Sequence, residues 1–299
     1  MNKEEILYLA KKSLRFLPDK MYVKLYFRLR LGRKLDMHNS VTLNEKLQWM
    51  KFNYRFPLQS IVSDKLLVRD YVADKVGDQY LIPLLGQWDK FDDIDFEKLP
   101  NQFVLKCNHD SGGLVVCKDK NYLDINKAKS KINKSLKTNF YYIGREYQYR
   151  NIIPKIMCEK FISDNGQVPL DYKIYCFNGK PDVILVCKDR FNDNSHKAQY
   201  LYYDQQWNFM PLNKGDEKIE DPRIEKPKNL DEMLNIASIL SEDFYFARID
   251  LYNINGKIYF GEITLSPNSG FDADITYETD LMFGNKLNIP YWLDLNTYI

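Results

Sequence analysis

Apolar residues recur at three- and four-residue intervals in two early segments of the chain. Residues 44–49 and 63–72 both have this spacing, which places the apolar side chains on one face of a helix. Ser63 or Asp64 would cap the second helix, because both side chains accept hydrogen bonds from the free N–H groups of a first turn. The pattern therefore predicts two helices here.

After residue 100 the pattern changes to short apolar runs. Residues 103–106 and 114–118 flank a turn of small and polar residues, and residues 156–162 form another apolar run. Runs of this length between turn residues are typical of strands. A polar helix over 124–137 separates the second run from the third, so the pattern predicts strand, turn, strand, helix and strand.

The second half of the chain predicts two hairpins. Residues 172–186 contain Asn178-Gly179, a dipeptide that favours a tight hairpin turn. The second hairpin lies within 244–264, and a helix over 229–241 precedes it, opened by what resembles a capping box. We find no internal repeat, and we predict one multi-lobed α+β unit.

Composition limits the class of protein. Of the 299 residues, 44% are hydrophobic, which is enough to bury a substantial core. Lys and Arg total 43 against 41 for Asp and Glu, so we expect no nucleic-acid partner. Charges interrupt every apolar stretch at the N-terminus, and no segment approaches the ~18 apolar residues of a membrane span. We therefore expect a cytoplasmic protein.

The five cysteines are odd in number and form no CxxC pair. This usage is typical of a reducing compartment, and we predict core-filling thiols. Residues 1 to about 60 are rich in Lys, Arg and aromatic residues and predict a basic helical segment. Two interpretations of its basic face stay open: a solvated surface, or docking to an anionic membrane surface or acidic glycan.

Polar residues alternate along the last predicted hairpin. Arg248 and Asp250 lie on its first strand, and Glu262 and Thr264 on its second. A three-residue loop ending at Gly256 would place Arg248 opposite Glu262, and all four side chains would share a face. Paired carboxylates between apolar strands need a cation, and Mg²⁺ with phosphates is one candidate. The alternative is a salt bridge in which Arg248 neutralises both acids.

A lysine ends the strand before the small-residue turn. Lys106 and the backbone N–H groups of that turn would surround phosphate oxygens, and the turn contains Ser111, Gly112 and Gly113. His109 would either donate to a phosphate or serve a structural role. Solvent exposure is the alternative for Lys106.

These motifs, in this order, resemble the ATP-grasp enzymes. The runs LNEKLQW at 43–49, FDDIDFEKLPNQFVLKCNH at 91–109 and DYKIYCFNGK at 171–180, with Asp64-Lys65 and Asp189-Arg190, more closely resemble the TupA-like ATP-grasp family of capsule and teichuronopeptide gene clusters, over about residues 40–285. The resemblance implies two α+β lobes that clasp ATP, at about 100–160 and 161–299. Together they would form a catalytic unit over 61–299, preceded by the basic segment 1–60.

The resemblance also implies roles for individual residues. Lys106, with Lys65 or Arg69, would hold the nucleotide phosphates. Residues of the hinge would present backbone groups to adenine, and Asp171 would bind the ribose. Asp250 and Glu262 would hold Mg²⁺, and Arg248 would stabilise the transferring phosphoryl group. The hinge comprises Glu159, Lys160, Phe161 and Ile162; Thr264 and Asn268 are further metal candidates, and Lys173 and Arg190 are candidates for the γ-phosphate or an anionic acceptor. For Lys173 and Arg190 plain structural or solvent-exposed roles stay open.

The implied reaction joins a carboxylate to an amine through an acyl phosphate, with ATP and Mg²⁺ as cofactors. The substrates would be an amino acid and a uronic-acid-containing glycan or its precursor. Two features depart from the general pattern: Thr264 stands where many ATP-grasp enzymes have Asn, and only a short helical segment precedes Lys65 where an α/β domain is usual.

Rival functions stay open. A glycosyltransferase would bind a nucleotide sugar and Mg²⁺ through carboxylates such as those in Asp92-Asp93-Ile94-Asp95. A phosphotransferase would use the same ATP residues and release a phosphorylated product. A non-enzymatic nucleotide-binding scaffold is the third alternative.

Overall fold

The computed structural model describes residues 14–164, 168–188 and 198–290. Its helices are α1 Asp19–Leu31, α2 Leu43–Asn53, α3 Pro57–Ser63, α4 Val68–Val76, α5 Ile125–Leu136, α6 Tyr141–Gly144, α7 Leu230–Ser241 and α8 Tyr277–Lys286. Its strands are β1 Leu84–Trp88, β2 Phe103–Cys107, β3 Leu114–Cys117, β4 Ile156–Lys160, β5 Asp171–Phe177, β6 Lys180–Lys188, β7 Gln199–Tyr203, β8 Phe209–Met210, β9 Phe246–Ile254 and β10 Lys257–Thr264.

The strands form two antiparallel sheets. The smaller sheet has the order β1-β4-β2-β3, and the larger has the order β10-β9-β5-β6-β7-β8. Each sheet is covered by helices, so the molecule has two α+β lobes. The predicted α+β class is confirmed.

Buried and half-buried side chains alternate strictly along β2 of the small lobe. Phe103, Leu105 and Cys107 are buried, whereas the residues between them are half-buried, because successive side chains of a strand point to opposite faces. Ala128 and Ile132 of α5 pack against this buried face. Lys106 therefore lies on the opposite face, which the helix does not cover.

The large lobe is covered on both faces of its sheet. All seven residues of β5 are buried, as expected of a central strand between two layers. Helix α7 packs on one face with α4, and α2 and α8 pack on the other. The predicted boundary at residue 60 lies within α3, which packs on this lobe as α2 does, and the proposed domain division stays a prediction.

Helix α1 lies against the rest of the molecule through one aromatic face. Tyr22, Val23, Tyr26 and Phe27 are fully or almost fully buried and pack with Phe271. The Tyr22 hydroxyl donates to the Ile143 carbonyl at 2.8 Å. The described part of the predicted basic segment is thus a fixed element of the fold.

Two local predictions about helix caps are wrong. Helix α3 ends at Ser63, and Asp64 instead accepts from the N–H groups of Leu66 and Leu67 in the turn before α4. At α7 the Asn229 side chain makes no capping bond, because its Oδ1 accepts from the Asn253 amide at 2.6 Å. The Asn229 amide group donates to Glu232 and to the Gly256 carbonyl.

The turn and cysteine predictions are confirmed. Asn178 and Gly179 have φ of 51° and 74°, the left-handed conformations that a tight hairpin turn requires. All five cysteines are buried and lie outside any disulfide, and burial raises the pKa of Cys158 and Cys176 to about 12. Within residues 14–164, 168–188 and 198–290, no helix has the length and apolar character of a membrane span.

Candidate active site

The β9–β10 hairpin brings Asp250 directly opposite Glu262. The predicted register is wrong, because the loop has two residues, Asn255 and Gly256, with φ of 52° and 83°, and Ile254 pairs with Lys257. A bulge at Gly261 then shifts the pairing by one further residue. Without that extra residue Glu262 would face the other side of the sheet.

Arg248 is the centre of this cluster. Its guanidinium binds both carboxylate oxygens of Asp250, each at 2.7 Å. It also lies 3.2 Å from Glu262 Oε1 and 3.1 Å from Thr264 Oγ1. All four polar side chains therefore share one face, as predicted. The salt bridge proposed as the alternative to a metal site is present.

Lys173 completes the cluster from the neighbouring strand. It pairs with Asp250 in register, and its ammonium lies 2.5 Å from Asp250 Oδ2 and 2.6 Å from Asp171 Oδ2. Burial lowers the pKa of Lys173, but the two carboxylates outweigh burial and raise it overall. Solvent exposure, the alternative for Lys173, is wrong. The ribose role of Asp171 stays a prediction.

The two acids of the hairpin differ in accessibility. The Asp250 side chain is 3% exposed and the Glu262 side chain 40% exposed. Burial raises the pKa of Glu262, but the positive charges of Lys65, Arg248 and Lys173 together outweigh burial. They lower this pKa from 4.5 to about 2. Glu262 is therefore a carboxylate at neutral pH with an accessible side chain, whereas Asp250 is enclosed by Arg248 and Lys173.

Three further cations lie near this cluster, one on β2 of the small lobe and two on α4 and the turn before it. Lys106 Nζ lies 2.6 Å from Glu159 Oε2, and Arg69 NH1 lies 3.4 Å from Glu159 Oε1. Lys65 comes from the turn before α4; burial lowers its pKa most, Glu262 raises it and Lys106 lowers it. The charge of Lys65 thus interacts with Lys106 of the smaller sheet and with Glu262 of the larger sheet. We call the region where these charges of the two lobes meet the cleft.

The turn between β2 and β3 is held at its base by the segment before α4 and is exposed at its tip. The Asn108 side chain donates to Asp64 at 2.9 Å, and the Lys65 ammonium donates to the Asp110 carbonyl at 2.5 Å. A side chain at Gly113 would collide with Ser135 and Cys107. Ser111 and Gly112 are exposed, so the tip is free to approach a ligand.

His109 is buried, and its Nε2 lies 3.0 Å from the Thr138 carbonyl. This placement fits the structural alternative, and a phosphate contact stays a prediction. The predicted hinge begins within β4, which ends at Lys160, and Phe161 and Ile162 follow it outside the sheet. Their adenine contacts stay predictions. Arg190 lies outside the described residues.

The chain after β10 forms an unusual turn. Asn268, Ser269 and Gly270 have consecutive left-handed φ values of 49°, 54° and 65°, which is costly for residues with a side chain. Asn268 is exposed beside Asp272, whose pKa it lowers while burial, the larger cause, raises it. A role of Asn268 as metal ligand stays a prediction.

Buried polar side chains hold this turn, and the sequence analysis did not identify them. Gln48 donates to the Ser269 and Gly270 carbonyls at 3.1 and 2.5 Å, and Lys51 donates to the Ser269 carbonyl at 2.5 Å. Glu146 accepts from the Ser269 hydroxyl at 2.6 Å. The available signal was the spacing of Gln48 and Lys51, which places two long polar side chains on one helix face.

The cluster fits a nucleotide with a divalent cation. Five cations and four carboxylates meet in it and leave one net positive charge; they are Lys65, Arg69, Lys106, Lys173 and Arg248 with Glu159, Asp171, Asp250 and Glu262. Glu262 and Thr264 offer the oxygen donors that Mg²⁺ prefers. Within the described residues no three His, Cys, Asp or Glu side chains are grouped to hold a metal, so phosphate oxygens would have to supply further ligands.

Comparison with known families decides the class of protein. Residues 45–288 match the family model described as TupA-like ATPgrasp. The chain belongs to the TupA-like ATP-grasp family. This membership confirms the resemblance, and with it the predictions of an ATP-grasp fold and of an enzyme of the ATP-grasp ligase class.

The solved structures to which this TupA-like chain is similar are distant from it. D-alanine–D-alanine ligase from Bacillus anthracis is 19% identical, with a TM-score of 0.41, and the match covers 70% of this chain and 59% of that ligase. L-amino acid ligase from Bacillus licheniformis is 11% identical, with a TM-score of 0.49, and the match covers 96% of this chain and 62% of that one. In these two pairs, therefore, the match spans less than two thirds of the ligase. No curated protein matches the chain.

Proposed function

We propose that this TupA-like protein is a carboxylate–amine ligase that uses MgATP to form an amide through an acyl phosphate. The observation that carries the proposal is the charge cluster across the cleft, in which Arg248, Lys173 and Lys65 surround the ionised Glu262. Phosphoryl transfer demands positioning and neutralisation of charge rather than a protein nucleophile.

The residues of the cleft would divide the work between the two lobes. Lys106 and Lys65 would bind the nucleotide phosphates from the small-lobe side, while Glu262 and Thr264 would hold the metal. Bound MgATP would supply the phosphoryl group and divalent charge. Arg248 would stabilise negative charge on the transferring phosphoryl group, and Asp250 would orient Arg248 through its two 2.7 Å hydrogen bonds.

The proposed reaction has two steps. A substrate carboxylate oxygen bonds to the γ-phosphorus, and the bond to ADP breaks. A substrate amine then bonds to the acyl carbon, the bond to phosphate breaks, and the amine loses a proton to solvent. We propose an amino acid and a uronic-acid-containing glycan or precursor as substrates, in the cytoplasmic stage of cell-surface polysaccharide synthesis. The family's link to capsule and teichuronopeptide clusters supports this part.

The carboxylates suggested for a glycosyltransferase have other contacts. Asp92 lies 2.5 Å from Lys129, and Asp95 lies 3.0 Å from Lys98 and accepts from the Glu97 N–H group. Asp92 lies in one short 3₁₀ turn of the small lobe, and Asp95 caps the next one. No feature of this surface favours a nucleotide-sugar site over the cleft.

Calorimetric titration tests the nucleotide site. MgATP and a UDP-sugar are titrated separately into the wild type, Lys106→Met and the control Lys118→Met, which removes an exposed lysine at the end of β3. We expect MgATP binding that weakens at least about tenfold in Lys106→Met and is unchanged in the control, because a phosphate contact is charge-assisted. Binding of the UDP-sugar without a response to MgATP would favour the glycosyltransferase.

A product assay separates a ligase from a phosphotransferase. Mixtures of amino acids and uronic acids are incubated with MgATP and the wild-type protein. A ligase releases ADP, free phosphate and an amide in equal amounts. ADP with a stable phosphorylated product and no free phosphate would replace the ligase proposal with a phosphotransferase on the same fold.

A further inference from the structure

The outer face of α1 combines exposed apolar and basic side chains. Met21, Leu25 and Leu29 are 58%, 39% and 47% exposed, and their four-residue spacing aligns them along the helix. Lys20, Lys24 and Arg28 have the same spacing one position earlier and are also exposed. One half of the outer face is therefore apolar, and the other half is basic.

This face belongs to a helix whose opposite face is packed against the rest of the protein. The opposite face of α1 is buried through Tyr22, Val23, Tyr26 and Phe27, and the Arg145 guanidinium lies 4.4 Å from the centre of the Tyr22 ring. The helix therefore does not need its outer face for its attachment to the protein. Three apolar side chains in a row at the surface lose the free energy that burial would give them, so a contact that covers them is favourable.

The charge of α1 indicates what that contact is. The helix carries four cations and one carboxylate, whereas the chain as a whole is almost balanced at 43 to 41. Within the described residues, the ion pairs do not involve Lys20, Lys24 or Arg28. A second copy of this face would bring like charges together, and an acidic glycan would offer no apolar phase for Met21, Leu25 and Leu29.

We propose that α1 docks the protein on an anionic lipid surface, with its apolar row inserted at the headgroup boundary and its basic row on the lipid phosphates. Helices that lie in a membrane interface combine these two features. Each cation near an anionic surface strengthens binding about fivefold, so three account for about 100-fold. The proposal does not depend on the reaction at the cleft.

Vesicle sedimentation tests the docking. The wild type is mixed with vesicles of phosphatidylcholine alone or with phosphatidylglycerol added. We expect binding to the anionic vesicles, which falls as salt is raised, and little binding to phosphatidylcholine. Equal binding to both vesicles, or to neither, would overturn the proposal.

Two variants separate the contributions of the two rows. Lys20→Glu/Lys24→Glu/Arg28→Glu should weaken binding about 100-fold or more, because the attraction becomes repulsion. Met21→Gln/Leu25→Gln/Leu29→Gln keeps the charge and the helix propensity, and should weaken binding at least about tenfold, because no apolar row inserts. If the glutamine variant binds the vesicles as tightly as the wild type, the basic side chains alone attract the lipid surface. That result would refute the proposed insertion of the apolar row.

A control on α5 has the same change in charge. Lys127→Glu/Lys131→Glu/Lys134→Glu reverses three exposed lysines on a helix of the small lobe. It should bind vesicles as the wild type does, and an equal loss in this control would refute a role specific to α1. All variants should bind MgATP like the wild type, which shows that they are folded. A wild type that dimerises through α1, or binds acidic polysaccharide but not vesicles, would also refute the proposal.

Discussion

Replacement of Glu262 by glutamine tests the electrostatics of the cleft. Glu262→Gln keeps the size of the side chain and its contact with Thr264 and removes one negative charge from among Lys65, Arg248 and Lys173. The three cations then repel one another with less compensation. We expect the variant to be less stable than the wild type at neutral pH.

The magnitude follows from the pKa of Glu262. Its pKa falls from 4.5 to about 2 on folding, which corresponds to about 3 kcal/mol for a fully buried group. The side chain is 40% exposed, and solvent screens such interactions. We therefore expect a loss of about 1–2 kcal/mol in the free energy of unfolding.

The pH dependence of stability tests the sign of the contribution that Glu262 makes. A carboxylate whose pKa is lowered on folding stabilises the protein above its unfolded pKa, and this contribution is lost as pH falls through the folded pKa. The difference between wild type and Glu262→Gln should therefore be constant from pH 7 to about 5 and shrink below the ordinary value of 4.5, towards 2. Urea unfolding followed by circular dichroism over this range measures it.

A surface carboxylate provides the control. Glu242 pairs with Lys75 at 2.5 Å but is 54% exposed, and an exposed pair contributes at most about 1 kcal/mol. Glu242→Gln should therefore change stability less than Glu262→Gln. Equal effects of the two substitutions, or a Glu262→Gln difference that persists unchanged at low pH, would refute the reasoning.

Three further predictions concern the same fold. Gly261→Val should destabilise the protein by about 1–3 kcal/mol and weaken MgATP binding, because a Cβ at the bulge would lie 3.0 Å from the Asp250 carbonyl; unchanged urea unfolding and calorimetry would contradict this. Lys173→Met should cost about 3–5 kcal/mol in urea unfolding, because it leaves the carboxylate of Asp250 buried beside one cation fewer; a stability equal to the wild type would contradict the ion pair. The native protein should react slowly with a thiol reagent and show five reactive thiols after denaturation, because burial raises the pKa of Cys107 to about 11; rapid reaction of the native protein would contradict the buried placement.

Local pattern predicted the elements that depend on near neighbours. The Asn178-Gly179 turn was predictable because few residues adopt two successive left-handed conformations. The strand over β2 followed from a short apolar run that ends at a turn, and α5 lies within the predicted polar helix over 124–137. The Lys106 turn and the polar residues of the last hairpin were also identified from the sequence, because their residue types are unusual beside apolar strands.

Pairing across the last hairpin could not be predicted. A hairpin loop of two residues instead of the predicted three shifts the register by one residue. The bulge at Gly261 shifts it by one residue more. The predicted and observed registers at Glu262 differ by two residues, so the polar face was correct although each pair was wrong. A glycine in a strand is a known signal of a bulge, and it was the available indication at this site.

The sequence by itself determined the α+β class, the family and most of the charged residues of the cleft, because these depend on residue type and local spacing. Tertiary structure decided which charges meet. Glu159 became the partner of Lys106 and Arg69, and Lys51 of α2 came to hold a turn 218 residues away in the chain. Such contacts depend on how separate elements pack, and no periodicity within one element records which distant side chain will face it.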